Sequence, residues 1–232
     1  PFPYVFQSTY NKKEQIVNAF KINKFDYCIN CAAYTNVEQA EKTPKIAYLI
    51  NAEAVKNLAH ICKANHTTLI HISTDYVFDG EKTSPYTIHD KPNPINVYGK
   101  SKLLGEQYIQ EAMNSYVIIR TSWLYSKIHG HNFYKTILSK AKTVKELHVT
   151  TQQVGCPTNT VNLTQFILKV IKTQSYGLHH YTNGRPTTWF GFAKCILSEN
   201  ELLDKIKLVK TDNYVTFTNR PKNSILANQN KL

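Results

Sequence analysis

Three short apolar runs, each ending in polar residues, constrain this chain more than any other feature. They are Phe25-Asp26-Tyr27-Cys28-Ile29-Asn30, Leu69-Ile70-His71-Ile72-Ser73 and Tyr116-Val117-Ile118-Ile119-Arg120. Runs that stay apolar instead of alternating read as strands buried on both faces, as in a parallel sheet. Between them, apolar residues recur three and four apart. The clearest stretch is 45–64, with Ile46, Leu49, Ile50, Val55, Leu58, Ala59 and Cys62 on the helix period. Further helices are predicted over 14–20, 100–113 and 132–142. Parallel neighbours need crossover connections, usually helical, so the alternation predicts a doubly wound α/β sheet. Ligands meet such sheets at the carboxyl ends of the strands. The residues of interest are therefore 31–37, 74–79 and 121–125.

Beyond Thr150 the pattern loosens into a predicted loop at 152–158, a helix over 161–172, a short strand over 178–182 and a helix over 188–199. Residues 1–150 are expected to form the sheet domain and 151–232 a smaller lobe, with no flexible linker between them and a cleft at their interface. At 232 residues and 42% hydrophobic, the chain can bury a core without staples, which excludes disordered, collagenous and disulfide-knot classes. No stretch approaches the roughly 18 uninterrupted apolar residues of a membrane span, so no membrane partner is expected. Five cysteines, at 28, 31, 62, 156 and 195, are an odd count, and nothing at the N-terminus reads as a signal peptide. A reducing cytoplasm is the expected compartment. Cys28 and Cys31 form a C-x-x-C, but no second pair completes a tetrahedral site, so no metal is assigned.

Lys+Arg number 28 and Asp+Glu 16, so the net charge is 28 − 16 = +12. The clusters Lys205-Ile206-Lys207 and Arg220-Pro221-Lys222 could meet phosphates or simply be solvated surface. No nucleic-acid-binding motif accompanies the charge, and nucleic acid is not the expected partner. A basic cleft would equally attract an anionic small molecule.

The chemistry is concentrated in Tyr98-Gly99-Lys100-Ser101-Lys102. Four residues apart at a helix start, Tyr98 and Lys102 share a face. An ammonium beside a phenol favours phenolate and lowers its ordinary pKa of about 10, as a proton donor to a carbonyl oxygen requires. The same spacing also describes a surface pair at a helix N-terminus. Ser73-Thr74-Asp75-Tyr76-Val77-Phe78 follows the second apolar run, where the Thr74 hydroxyl would face the same crevice as Tyr98. Alone, that segment could equally be a helix cap.

In these segments the chain resembles the extended short-chain dehydrogenase/reductases, and within them the reductases of nucleotide 4-keto sugars. The likeness continues in Ile29-Asn30-Cys31-Ala32-Ala33-Tyr34-Thr35-Asn36-Val37-Glu38-Gln39-Ala40-Glu41, in Pro94-Ile95-Asn96-Val97 before Tyr98, and in Arg120-Thr121-Ser122-Trp123-Leu124-Tyr125. Asn132-Phe133, Gly155-Cys156-Pro157-Thr158 and Arg220-Pro221-Lys222-Asn223-Ser224 complete it, over nearly the whole chain. The resemblance implies a Rossmann-like dinucleotide-binding domain over 1–150 and a substrate lobe over 151–232. It implies hydride transfer from NADPH, or NADH, to the C4 ketone of dTDP-4-dehydro-6-deoxy-L-mannose, giving dTDP-L-rhamnose.

By the same carry-over, Tyr98 protonates the oxygen, Lys102 holds the nicotinamide ribose and depresses the Tyr98 pKa, and Thr74 orients the carbonyl. Cys31, Ala32, Ala33, Tyr34 and Ser73 would lie along the cofactor with Tyr98 and Lys102. Thr35, Val37, Thr74, Asp75, Tyr76, Trp123 and Asn132 would surround the sugar, while Arg220 and Asn223 would meet the nucleotide end. Trp189 reads as packing at a helix start. A homodimer and a magnesium ion are left open by the likeness.

The pattern departs from the family in its glycines: there are eight, and the first is Gly80. The glycine-rich phosphate loop is therefore expected in about fifty residues preceding Pro1, the length of a βαβ unit. An acidic residue that would face adenine near Thr9 is also absent. Two rival readings share the fold: a non-catalytic protein resembling the β subunit of methionine adenosyltransferase, and a sugar-nucleotide epimerase or dehydratase. The segments 34–38 and 121–123 favour the reductase over the first. Asp75 as the only carboxylate before Asp79 disfavours the second.

Overall fold

A computed structural model of the chain describes residues 13–212 and 216–228, and Thr9 lies outside them. The first part of the chain runs α1 (Lys13–Ile22), β1 (Tyr27–Asn30), α2 (Val37–Lys42), α3 (Pro44–Tyr48), a π-helical turn (Leu49–Glu53), α4 (Ala54–Ala64), β2 (Thr68–Thr74), a 3-10 turn (Asp75–Val77), α5 (Val97–Ala112) and β3 (Tyr116–Thr121). It continues through β4 (Leu124–Tyr125), α6 (Phe133–Ala141), β5 (Glu146–Thr150), β6 (Val154–Gly155), β7 (Thr158–Asn159), α7 (Thr160–Thr173), β8 (Gly177–His180), β9 (Thr187–Thr188), α8 (Trp189–Glu199) and β10 (Lys207–Thr211).

The central sheet has the order β1-β2-β3-β8, with all neighbours parallel. Every residue of β2 except Ile72 is buried, as is every residue of β3 except Tyr116. Both faces are covered, which is why these runs do not alternate. On one face Val55, Ala59 and Cys62 of α4 and Ile109 and Ala112 of α5 pack against Leu69 and Ile118. On the other, Leu163, Ile167 and Val170 of α7 cover Ile70, Val117 and Ile119. Each Val, Leu or Ile among these contributes about 1.5–3 kcal/mol on burial.

A second cluster joins Tyr134 and Ile137 of α6, Leu147 and Val149 of β5, and Phe192 and Ile196 of α8. Parallel pairing of β10 with β5 extends it. The basic stretch at 205–207 leads into β10: Lys205 and Lys207 are exposed, as solvated surface lysines, with Lys207 2.8 Å from Glu146, while Ile206 between them is buried in the cluster. The sheet takes its fourth strand from beyond residue 150, and the second cluster draws on residues from both sides of 150.

Two local departures from the expected helices matter for the site. The helix expected over 45–64 is interrupted by the π-helical turn, which buries both Asn51 and Ala52. Its backbone lies so close to α5 that a Cβ on Gly105 would sit 2.2 Å from the Asn51 carbonyl oxygen. The α5 helix begins three residues before position 100, because the Asn96 side chain accepts from Gly99 N–H at 2.8 Å and caps it. Tyr98 and Lys102 thereby fall in its first two turns.

Candidate active site

The ends of β1, β2 and β3 and the start of α5 converge on one edge of the sheet. Thr74 and Thr121 are paired in register at the last positions of β2 and β3. Past Thr74 the chain turns sharply: its hydroxyl oxygen accepts from Tyr76 N–H at 3.2 Å and lies 3.0 Å from Asp75 Oδ1. The Thr74 hydroxyl also reaches the phenol of Tyr98. The Tyr98 ring meets Tyr76 edge-on, with centroids 5.6 Å apart. No side chain fits between helix and turn at Gly99, where a Cβ would lie 2.1 Å from the Tyr76 carbonyl oxygen.

Lys102 is 1% exposed and donates to the Ile72 carbonyl at 2.7 Å, with His71 Nε2 at 3.1 Å. Burial lowers its pKa to about 8, against the pull of Glu106 and Cys31 toward the charged form. The expected depression of Tyr98 is not what this geometry produces. Burial raises the phenol above its ordinary range, Thr74 opposes the rise, and Asp75 and Tyr76 add to it. The lysine that was to lower it is held against β2.

The loop after β1 presents Cys31, Ala32 and Thr35 to solvent, with Ala33, Tyr34 and Val37 half-buried. Asn51, from the π-helical turn, holds this loop in place. Its Oδ1 accepts from Tyr34 N–H at 2.8 Å, and its Nδ2 donates to Tyr34 O at 3.1 Å and to Ser101 Oγ at 3.0 Å. Ser101 in turn donates to the Tyr98 carbonyl at 2.8 Å. One buried amide thus sets the loop against the helix that carries Tyr98.

Beneath the strand ends, Ser73 donates to Glu106, whose carboxylate is held by Arg120. Asp75 is 2% exposed, and burial raises its carboxyl to about 6 against the hydroxyls of Ser224 and Thr74. Tyr76 is pushed up to about 12, first by burial and then by Asp75. Arg220 Nη2 donates to Glu38 Oε1 at 2.8 Å, and its guanidinium also reaches Tyr76. Burial of Glu38 is outweighed by Arg220 and Thr218, which hold its carboxyl below the ordinary value. Arg220 lines a polar cavity of about 410 Å³ with Gln152, Gln153, Thr218 and Lys222.

Trp123 takes a left-handed backbone, φ 48°, and stacks on Trp189 with centroids 3.6 Å apart. Trp189 donates to Gln153 Oε1 at 2.8 Å, so it carries the stack as well as packing the start of α8. Asn132 caps α6 through Lys135 N–H and donates to Ser126 O and Asn223 to Lys82 O, so both amides are engaged with backbone. Sequence reasoning missed His71, Asn51, Glu106 and Arg120. A histidine inside an apolar run was the one signal for His71.

The amine and phenol beside the small-residue loop 31–33 fit the ribose and nicotinamide end of a dinucleotide. With Gly80 the first glycine, no glycine-rich cradle for its pyrophosphate lies within the 232 residues. A cavity of about 240 Å³ opens between α1, β1 and α4 and reaches Asn30 and Ala32.

The family model described as the RmlD substrate binding domain matches residues 6–231. The spore coat polysaccharide biosynthesis protein SpsK of Bacillus subtilis is 39% identical over 204 residues, 88% of this chain and 71% of that protein. The dTDP-4-dehydrorhamnose reductase of Shigella flexneri is 37% identical over 94% of this chain and 76% of its own. Among solved structures, the dTDP-4-dehydrorhamnose reductase of Bacillus anthracis in complex with NADP superposes with a TM-score of 0.91 at 38% identity, covering 95% of this chain and 78% of that one. The ortholog from Clostridium acetobutylicum gives 0.87 at 40% identity, over 92% and 75%. A match across nearly the whole length and the same parallel sheet agree: the chain belongs to the RmlD family, that of the dTDP-4-dehydrorhamnose reductases.

Proposed function

We propose that this protein reduces the 4-keto group of dTDP-4-dehydro-6-deoxy-L-mannose to dTDP-L-rhamnose with NADPH. The observation that carries the reading is the convergence of Thr74, Tyr98 and Lys102 at one edge of the sheet in a member of this family. The dinucleotide, when bound, supplies hydride to the substrate carbon. Tyr98 gives its proton to the carbonyl oxygen, and Thr74 orients that oxygen by a hydrogen bond. A phenol raised by burial is fully protonated at neutral pH, as a proton donor must be. Lys102 and the loop of Cys31, Ala32, Ala33 and Tyr34, with Ser73 beneath, hold the cofactor's reactive end.

On this reading Thr35, Val37, Asp75, Tyr76 and Trp123 wall the sugar, with Asn132 and Asn223 shaping its borders through the loops they tie. The polar cavity at Arg220 takes the nucleotide phosphates, which a guanidinium matches bidentately. The sheet is the dinucleotide half and the cluster around Phe192 the substrate half, interleaved in sequence instead of dividing at residue 150. Among the described residues no helix is long and apolar enough to cross a membrane; the cytoplasm is the compartment we propose for a biosynthetic reductase of a nucleotide sugar. Whether two copies form a homodimer is to be read by sedimentation.

The test is NADPH consumption by the full-length gene product with the keto-sugar generated in situ. Consumption abolished by Tyr98→Phe supports the reading. Tight NADPH binding without consumption would overturn it in favour of a non-catalytic or differently directed protein.

A further inference from the structure

The hydrogen bonds around His71 determine which of its nitrogens carries the proton. Asn30 Oδ1 accepts from Ala32 N–H at 3.1 Å, which turns the amide so that Nδ2 faces His71 Nδ1, 3.0 Å away. An amide nitrogen only donates, so Nδ1 is the acceptor and the proton of the neutral ring sits on Nε2. Burial first, and Lys102 second, keep the ring neutral by holding it well below its ordinary pKa. The Nε2–H then points at Lys102 Nζ, 3.1 Å away. An ammonium has no lone pair to receive it. An amine receives it and still donates to Ile72 O at 2.7 Å.

We propose that His71 is a positioning residue for Lys102: it parks the side chain as a neutral amine against β2, and the ammonium form leaves His71 and turns toward Tyr98. The groups facing Lys102 agree with this. From its own helix comes Glu106, from the loop after β1 Cys31, and from β2 His71. Glu106 favours the charged form, but Arg120 of β3 already engages its carboxylate. Burial prevails and brings Lys102 to about 8, within reach of a change of charge near neutrality. The catalytic consequence rests on the reductase reading: an ammonium arriving beside Tyr98 stabilises the phenolate left after proton donation. The parking itself does not depend on that reading.

The first measurement is the tautomer of His71 by 15N NMR on the cofactor-free full-length protein near pH 9, where Lys102, with a pKa of about 8, is the amine. An Nε2–H tautomer is expected, and an Nδ1–H tautomer or an imidazolium would overturn the proposal. The second is Asn30→Asp, which still accepts from Ala32 N–H but cannot donate to the ring. The proton must then move to Nδ1, and Nε2 offers Lys102 a lone pair. The Lys102 titration, followed by its Nζ resonance, is expected to rise by about one pH unit, and the alkaline limb of kcat/KM to rise with it. A reversed tautomer with an unmoved Lys102 titration would break the link between the two residues. The resonance needs no turnover, so failure of the reductase reading would show as absent activity with the titration shift intact. The wild-type tautomer needs no variant to fold.

Discussion

Arg120 holds Glu106 along one edge of its guanidinium: Nη2 lies 2.6 Å from Oε2 and Nε 3.0 Å from Oε1, with the two side chains 4% and 1% exposed. Ser73 donates to the same carboxylate. Three elements, β2, β3 and α5, are thereby locked together just below the reacting edge.

Removing one partner leaves the other charge buried alone, which costs about 3–5 kcal/mol. Glu106→Gln keeps the shape and removes the charge, and a loss of about 3 kcal/mol is expected in urea unfolding. A loss below about 1 kcal/mol would mean that the pair is hydrated in solution.

Tyr98→Phe deletes the proton donor while keeping the ring against Tyr76. Turnover is expected to fall about 100-fold or more, the scale of general acid catalysis, with stability little changed. Thr74→Val should cost less, since Tyr98 still reaches the carbonyl oxygen. Equal losses in single-turnover rates would show a collapsed site instead of two roles.

Asp75 links stability to pH. Its folded pKa of about 6 lies above the ordinary 3.8, so between those values the folded state keeps a proton that the unfolded state has released. Stability from this group is greatest at low pH and is lost as pH rises through about 6. Asp75→Asn has no such loss. It should be more stable than the parent by about 1–3 kcal/mol near pH 8, with the difference shrinking toward pH 4. Thermal unfolding across that range checks it, and a difference independent of pH would refute the assignment.

Gly99→Ala would drive a methyl into the Tyr76 carbonyl. Helix propensity alone would reward the change by roughly 1 kcal/mol. The clash should reverse the sign, destabilising by about 1–3 kcal/mol and lowering turnover by moving Tyr98. A stabilised, fully active variant would show that helix and turn can part at no cost.

Strands β2 and β3 were legible because double burial writes itself as uninterrupted apolar sequence, whereas β1 is only partly covered, with Ile29 46% exposed; the Tyr98–Lys102 spacing was legible because a helix repeats every turn. The π-helical turn was not legible: positions 45–64 keep a helical period, and the interruption shows in the backbone, where Ala54 N–H donates to the Leu49 carbonyl five residues back. The partnership of Glu146–Thr150 with Lys207–Thr211 was hidden too, since parallel pairing sixty-one residues apart leaves no local mark. The state of Tyr98 was misread for a third reason. Spacing puts Lys102 on the right face of the helix, but whether its charge reaches the phenol depends on His71 and Ile72, which come from another element.

The interleaving of the sheet and the Phe192 cluster has a mechanical meaning. A clamp opens when two bodies are joined by one pliable strap, and here the chain passes back and forth between the two halves, with 216–228 bonded to both through Glu38, Tyr86 and Val154. Opening the mouth would mean bending every one of those crossings together. On the proposed function, the sugar would therefore enter an opening braced from both halves by the same short stretch of chain.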